Sequence, residues 1–151
     1  MLKNYTSTVP AARSIGYIEE MLAKHGARQI LKLYDPTTSR VEGICFIIPA
    51  IGIDMPFKLP ARVSECEKVL LANLSSRCQP ATRKKVPQQA ERTAWKILLD
   101  WVEAQMAMID LAQAELLEVF LPYVYDHSRQ QTYFERVKES NYKALLPGGS
   151  E

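Results

Sequence analysis

The chain is poor in the residues that build metal, disulfide and nucleophile sites. It has three cysteines and two histidines among 151 residues. Cys45, Cys66 and Cys78 are odd in number and none lies in a Cys-x-x-Cys pair, so neither a disulfide framework nor a zinc site is indicated. We therefore expect reduced thiols in a cytoplasmic protein, with no bound metal and no cofactor.

Catalytic motifs are missing as well. The six glycines are dispersed, and only Gly148 and Gly149 are adjacent, which gives no glycine-rich phosphate-binding loop. No Gly-x-Ser-x-Gly motif is present. His25 ends a helical pattern, where it is better placed to cap the helix than to bind a metal. The sequence predicts a protein that is not an enzyme.

Long hydrophobic runs are also lacking. No run approaches the ~18–20 apolar residues that span a bilayer, and the first residues have no apolar region of the kind found in secretory signals. The composition, with 47% apolar and 24% charged residues, suits one globular core. We expect a single α+β domain over residues 1–151 and no membrane partner.

The first half of the chain predicts a helix followed by three antiparallel strands. Apolar residues recur at three- and four-residue spacing over residues 14–25. Two β-rich runs, 28–34 and 40–48, flank a turn and read as a hairpin. A third strand follows at 55–59, and a second helix begins near Pro60.

The second half predicts a helical C-terminal region. A polar and basic stretch without apolar periodicity indicates a loop at about 75–89. The longest helix begins near Pro87, and a further helix covers 112–121. A short helix at 130–140 and a flexible tail from about residue 146 complete the prediction.

Charge is sorted along this second half. Residues 77–96 carry six cations and one carboxylate, a balance of +5, whereas residues 97–126 carry six carboxylates and no Lys or Arg, a balance of −6. Helices favour the opposite order, with acids first and bases last. Helix stability therefore does not explain the order, and we expect a polyanion to bind the basic end.

The basic segment is the predicted nucleic-acid-binding site. Lys and Arg side chains neutralise phosphates, helix N-terminal N–H groups favour phosphate oxygens, and Trp95 would offer a stacking surface for a base. The alternative is that Trp95 and Trp101 are core anchors and that the basic run only keeps a loop solvated. The predicted binding residues are Arg77, Arg83, Lys84, Lys85, Arg92, Trp95 and Lys96.

The long helix is more apolar than one buried flank requires. Its surplus surface comprises Ile97, Leu98, Trp101, Met106, Met108 and Ile109. An uncovered patch of this kind marks a protein interface, and a two-fold dimer is the commonest way to cover it. The second hypothesis is therefore a protein-interaction module, an inhibitor or assembly subunit, that uses helix 88–121 and forms a homo-oligomer.

Acidic pairs support a third and weaker hypothesis. Asp100 with Glu103, and Glu115 with Glu118, lie at a three-residue spacing that suits Mg²⁺ in a phosphoryl-transfer enzyme. The same spacing is common on solvated helix faces.

Two segments resemble a group of phage proteins. The string AERTAWKILLDWVEAQMAMIDLAQAELLEVFLPY and the run RSIGYIEEMLAKHGARQI are similar to small uncharacterised proteins encoded in bacteriophage, prophage and mobile-element genomes. This resemblance implies an accessory factor from an element that handles DNA, and it transfers no active-site residue. The leading hypothesis is a non-enzymatic nucleic-acid-binding accessory protein of a phage or mobile element. Its candidate partners are DNA or RNA and a host or phage protein.

Overall fold

The chain folds into a three-stranded antiparallel sheet covered by helices, with a second sheet of two short strands, and the computed structural model describes residues 1–148. The three-stranded sheet has the order β1-β2-β3, and a helical second half follows it, so the predicted α+β class is confirmed. The first elements are α1 (Ala11–Lys24), β1 (Gln29–Tyr34), β2 (Val41–Ala50), β3 (Ile53–Pro60) and α2 (Val63–Ala72). The later ones are α3 (Pro80–Lys84), α4 (Val86–Asp110), α5 (Leu116–Phe120), β4 (Tyr125–Asp126), β5 (Gln131–Thr132) and α6 (Tyr133–Glu139), with 3₁₀ turns at Leu121–Tyr123 and Lys143–Leu145.

The central strand β2 supplies the apolar face on which the helices pack. Phe46 lies opposite Phe57 on β3, and Ile44 lies opposite Leu59. Because side chains alternate between the two faces of a strand, these four share one face, and all four are buried. The rings of Phe46 and Phe57 stack with their centroids 5.2 Å apart.

Helix α4 is the central element of the helical layer, since both α1 and α2 pack against it. Its 25 residues span about 37 Å at 1.5 Å per residue. Helix α1 ends at His25, whose Nε2 lies 2.7 Å from the Asp110 carboxylate at the far end of α4. His25 is the C-cap of α1, and its Nδ1 lies 2.7 Å from the carbonyl of Met21, so its predicted capping role is confirmed.

The core takes up much of the apolar surface of α4. Met106 is buried, and Leu98, Trp101 and Ile109 are partly buried against the core. Met108 remains exposed. Only part of the predicted surplus surface is therefore available to a partner.

Several predicted boundaries are wrong. The second half of the predicted loop at 75–89 is helical, because α3 occupies Pro80–Lys84 and α4 begins at Val86. The predicted helix at 112–121 begins only at Leu116. The short hairpin β4-β5 was not predicted, and the predicted tail lies partly outside the described residues, since these end at residue 148.

Two of the three cysteines lie in the interior. All three are free, and Cys45 and Cys66 are buried, as the β-rich run around Cys45 predicts. Burial raises the pKa of both thiols. Separately, none of the helices within residues 1–148 is both long enough and apolar enough to cross a membrane.

Candidate nucleic-acid interface

Most of the predicted basic residues lie on α3 and on the short segments that flank it, just before α4. Only Lys85 separates α3 from α4, and Pro80 and Pro87 stand in the first turns of these helices, where a missing N–H is tolerated. Arg83 and Lys84 belong to α3, and both are exposed, as is Lys85. Arg77, in the preceding segment, is exposed too. Four of the seven predicted residues thus lie on one accessible segment.

A concave surface opens beside this segment and has a volume of about 520 Å³. We call it the basic groove. Lys85 and Arg92 line it together with Tyr5, and Leu70 of α2 lines it with the residues Asn73 and Leu74 that follow this helix. Among the described residues, no Asp or Glu lines the groove. The groove therefore combines positive charge with an aromatic ring and offers no carboxylate to repel an anion.

The N-terminal segment that carries Tyr5 is held against α4 by hydrogen bonds to residues before and after Tyr5 in the chain. Thr93 Oγ1 donates to the carbonyl of Asn4 at 2.9 Å. Gln89 Nε2 donates to the carbonyl of Ser7 at 3.0 Å. Tyr5 lies between these two anchored residues, so its main chain is held beside α4.

Arg92 has both a structural and a candidate binding role. Its Nε donates to the carbonyl of Ser7 at 3.3 Å, and its guanidinium also donates to the side chain of Gln89. The same residue lines the basic groove. Replacing Arg92 would therefore disturb the N-terminal segment as well as the groove.

Lys96 lies outside the groove and is paired with an acid. Its Nζ lies 2.7 Å from the carboxylate of Asp100, which also accepts hydrogen bonds from Asn4 and lies 3.2 Å from Lys3 Nζ. Burial opposes ionisation of Asp100, but the contacts with Lys96, Asn4 and Lys3 outweigh it and lower the pKa of Asp100 to about 2. The charge of Lys96 is thus largely compensated within the fold.

Trp95 belongs to the core, and its predicted role as a stacking surface is wrong. The indole is fully buried, and its Nε1 donates to the carbonyl of Val41. Trp101 is half-buried and packs edge-to-face against Phe120 and Tyr123. The alternative interpretation of the two tryptophans, as core anchors, agrees with these contacts.

Tyr5 is the aromatic residue of the groove, and no sequence pattern predicts its place there. It precedes Lys85 by 80 positions, so no local spacing connects the two. The exposed side chains of Asn73 and Thr82 also line the groove and were likewise not predicted. The structure brings together Lys85, Arg92 and Tyr5, with Arg77, Arg83 and Lys84 on the adjoining segment.

The acidic pairs serve the fold. Asp100 pairs with Lys96, and Glu115 forms a reciprocal capping box with Glu118 at the start of α5. Within residues 1–148, no three His, Cys, Asp or Glu side chains are grouped to hold a metal ion.

Comparisons of the chain with protein-family models, with curated proteins and with solved structures give no match. The resemblance to phage and mobile-element proteins stays a prediction from the sequence. Function is therefore inferred from the residues of the basic groove and its surroundings.

Proposed function

We propose that the protein is a nucleic-acid-binding accessory protein that acts by binding and not by catalysis. The observation that carries the proposal is the basic groove, in which Lys85 and Arg92 face a concave surface with no acidic lining residue. Exposed Arg83 and Lys84 extend this positive surface along α3. Cations arranged in this way bind phosphates mainly through release of condensed counterions.

The polarity of the molecule supports the same proposal. The net charge is only +2, but Lys85, just before α4, and Asp110, its last residue, lie about 37 Å apart along this helix. This distance exceeds the Debye length of about 8 Å at physiological ionic strength, so a polyanion at the basic end is screened from the acidic end. A phage or mobile-element setting rests on the sequence resemblance alone.

The direct test is binding of labelled oligonucleotides at low salt, followed by fluorescence anisotropy. The variant replaces Arg83, Lys84 and Lys85 with Ala. We expect its affinity to fall by about tenfold or more because three phosphate contacts are lost. Its thermal stability should stay close to that of the wild type, since all three side chains are exposed.

A matched control distinguishes the effect of the charges at the groove from the effect of the net charge of the protein. Replacing the exposed residues Lys24, Arg28 and Lys143 with Ala removes the same three charges away from the basic groove. We expect this control to keep most of the affinity. Equal losses in both variants would place binding outside the groove, and absence of binding by the wild-type protein would refute the proposal.

A second candidate function is a protein-interaction module. A mostly apolar groove of about 380 Å³ runs between α2 and α4, lined by Val69, Ile97, Leu98, Trp101 and Tyr123 among others. Exposed apolar surface of this kind is typical of protein contacts. The measurement that tests it is the oligomeric state of the protein in solution.

A further inference from the structure

The basic groove presents the three kinds of surface that one nucleotide requires. Lys85 and Arg92 supply positive charge for a phosphate. Leu70 and Leu74 line the groove with apolar side chains, and Tyr5 adds an aromatic ring that is 41% exposed. This combination matches a ligand with an anionic backbone and flat, apolar base faces.

Polar side chains stand in the same groove. Asn73, at the end of α2, offers both a donor and an acceptor, and Thr82 of α3 offers a hydroxyl. Both are exposed, so both are accessible to the edge of a base. Base edges present donors and acceptors of this kind when they are not paired.

From these contacts we infer that the basic groove binds single-stranded nucleic acid, with one unpaired base stacked on Tyr5. The inference rests on the proposed nucleic-acid-binding function and specifies its ligand. Stacking on an aromatic side chain requires a base whose face is free, whereas bases within a duplex are already stacked on their neighbours. A groove of about 520 Å³ lies within the range of small-ligand sites and suits one inserted nucleotide.

The position of Tyr5 favours stacking because its main chain needs little ordering on binding. Thr93 anchors the residue before Tyr5, and Gln89 and Arg92 anchor Ser7. A residue on an anchored segment loses less conformational freedom when a ligand binds than a residue on a mobile segment does.

The cations outside the groove indicate that the ligand is a nucleic-acid strand and not a free nucleotide. Arg83 and Lys84 are exposed on α3, next to the groove but not among the residues that line it. In a bound strand they are available to phosphates next to the inserted nucleotide. A mononucleotide has no further phosphodiesters and would gain nothing from them.

The experiment compares Tyr5→Leu with Tyr5→Phe, which keeps the ring. The probes are labelled oligo(dT), the same strand annealed to oligo(dA), and thymidine monophosphate. We expect Tyr5→Leu to weaken oligo(dT) binding about tenfold, within the range measured for loss of base stacking, and Tyr5→Phe to bind almost as the wild type does. The wild type should prefer the single strand to the duplex and bind the mononucleotide weakly.

A second variant reports stacking directly. Tyr5→Trp places an indole in the groove, and we expect oligo(dT) to quench its emission well beyond any change in the wild type, whose Trp95 is buried and whose Trp101 does not line the groove. This readout also decides the matter if Tyr5→Leu proves poorly folded by circular dichroism. Absence of additional quenching, with oligo(dT) bound, would overturn the stacking inference.

The remaining outcomes distinguish the inference from the proposed function. If Tyr5→Leu binds as tightly as the wild type while the Arg83, Lys84 and Lys85 variant has lost binding, the protein binds nucleic acid but not by stacking on Tyr5. Equal affinity for duplex and single strand would refute the preference for single strands. Equal affinity for the mononucleotide and oligo(dT) would refute the claim that the site binds a strand longer than one nucleotide. If the wild type binds none of the probes, both this inference and the proposed nucleic-acid-binding function are refuted.

Discussion

The indole Nε1 of Trp95 donates a hydrogen bond to the main-chain carbonyl of Val41, 3.1 Å away, and so joins the middle of α4 to the first residue of β2. The two residues are 54 positions apart in the chain. Since the indole is completely buried, this bond satisfies a donor that would otherwise be costly to remove from water. Trp95 therefore aligns the long helix with the sheet, and the basic groove is built on that alignment.

Trp95→Ala is expected to cost about 3–5 kcal/mol of the free energy of unfolding, because it removes a large buried ring and its hydrogen bond. Urea denaturation followed by circular dichroism measures this loss. Trp101→Ala is the comparison, and we expect a smaller loss there because Trp101 is only half-buried. A loss below about 1 kcal/mol for Trp95→Ala would contradict the role of Trp95 as a core anchor.

Salt dependence is expected to report the number of phosphates at the basic groove. If four to six phosphates of a single strand are contacted, affinity should fall by about 10² or more between 50 and 200 mM salt. Removing Arg83, Lys84 and Lys85 should reduce the slope of log K against log salt by about 2. Titrations at several salt concentrations give both slopes, and an unchanged slope would show that these residues do not contact phosphate.

Asp100 is expected to make stability depend on acid pH. Its pKa is lowered from 3.8 to about 2, so the folded state favours the ionised form. This contribution is fully present above about pH 4 and is lost as the pH falls toward 2. At neutral pH we expect Asp100→Asn to cost about 1–2 kcal/mol, after allowance for screening by solvent at this partly exposed site.

Urea denaturation across this pH range tests the assignment. The stability difference between the wild type and Asp100→Asn should shrink as the pH approaches 2. Glu103→Gln is a suitable control, because Glu103 is an exposed carboxylate on the same helix. A difference that is constant over the range would mean that the ion pairs of Asp100 contribute nothing to the fold.

The secondary structure was predicted best from the sequence where buried apolar residues recur at a regular spacing. The helix that contains Ile15, Ile18 and Leu22 was found because these three buried residues recur at helical spacing. Helix α3 has no buried residue, so its sequence shows no apolar pattern and predicts a loop. Strands β4 and β5 have two residues each, too few to show alternation.

The site was predicted only where its residues are close in sequence. Arg83, Lys84 and Lys85 stand out as a local cluster, whereas Tyr5 reaches the groove through tertiary hydrogen bonds such as that from Thr93 to Asn4. Trp101 follows Trp95 by six residues, which corresponds to a rotation of about 240° around the helix axis beyond one full turn. Periodicity alone did not decide which of the two faces the sheet.

Self-association through the apolar groove between α2 and α4 is expected to give a homodimer or larger assembly. Light scattering at micromolar concentration should then report about twice the 17.1 kDa chain mass or more. Ile97→Glu should restore the monomer because it places a charge in that groove, whereas Met108→Glu, at an exposed site outside it, should not. A wild-type protein that stays monomeric at high concentration would remove the homodimer hypothesis.

Ile51→Asn is expected to stabilise the protein. Ile51 and Gly52 join β2 to β3, and both have positive φ, 48° and 79°, as a two-residue type I′ turn requires. A β-branched residue is strained in this region, whereas Asn is favoured there, and Ile51 is 78% exposed, so the fold loses little packing. We expect a gain of about 0.5–1 kcal/mol in the free energy of unfolding, measured by urea denaturation. Gly52→Ala should lower stability, because Ala is strained at positive φ. A loss of stability in Ile51→Asn would instead show that the exposed isoleucine makes a contact that the fold requires.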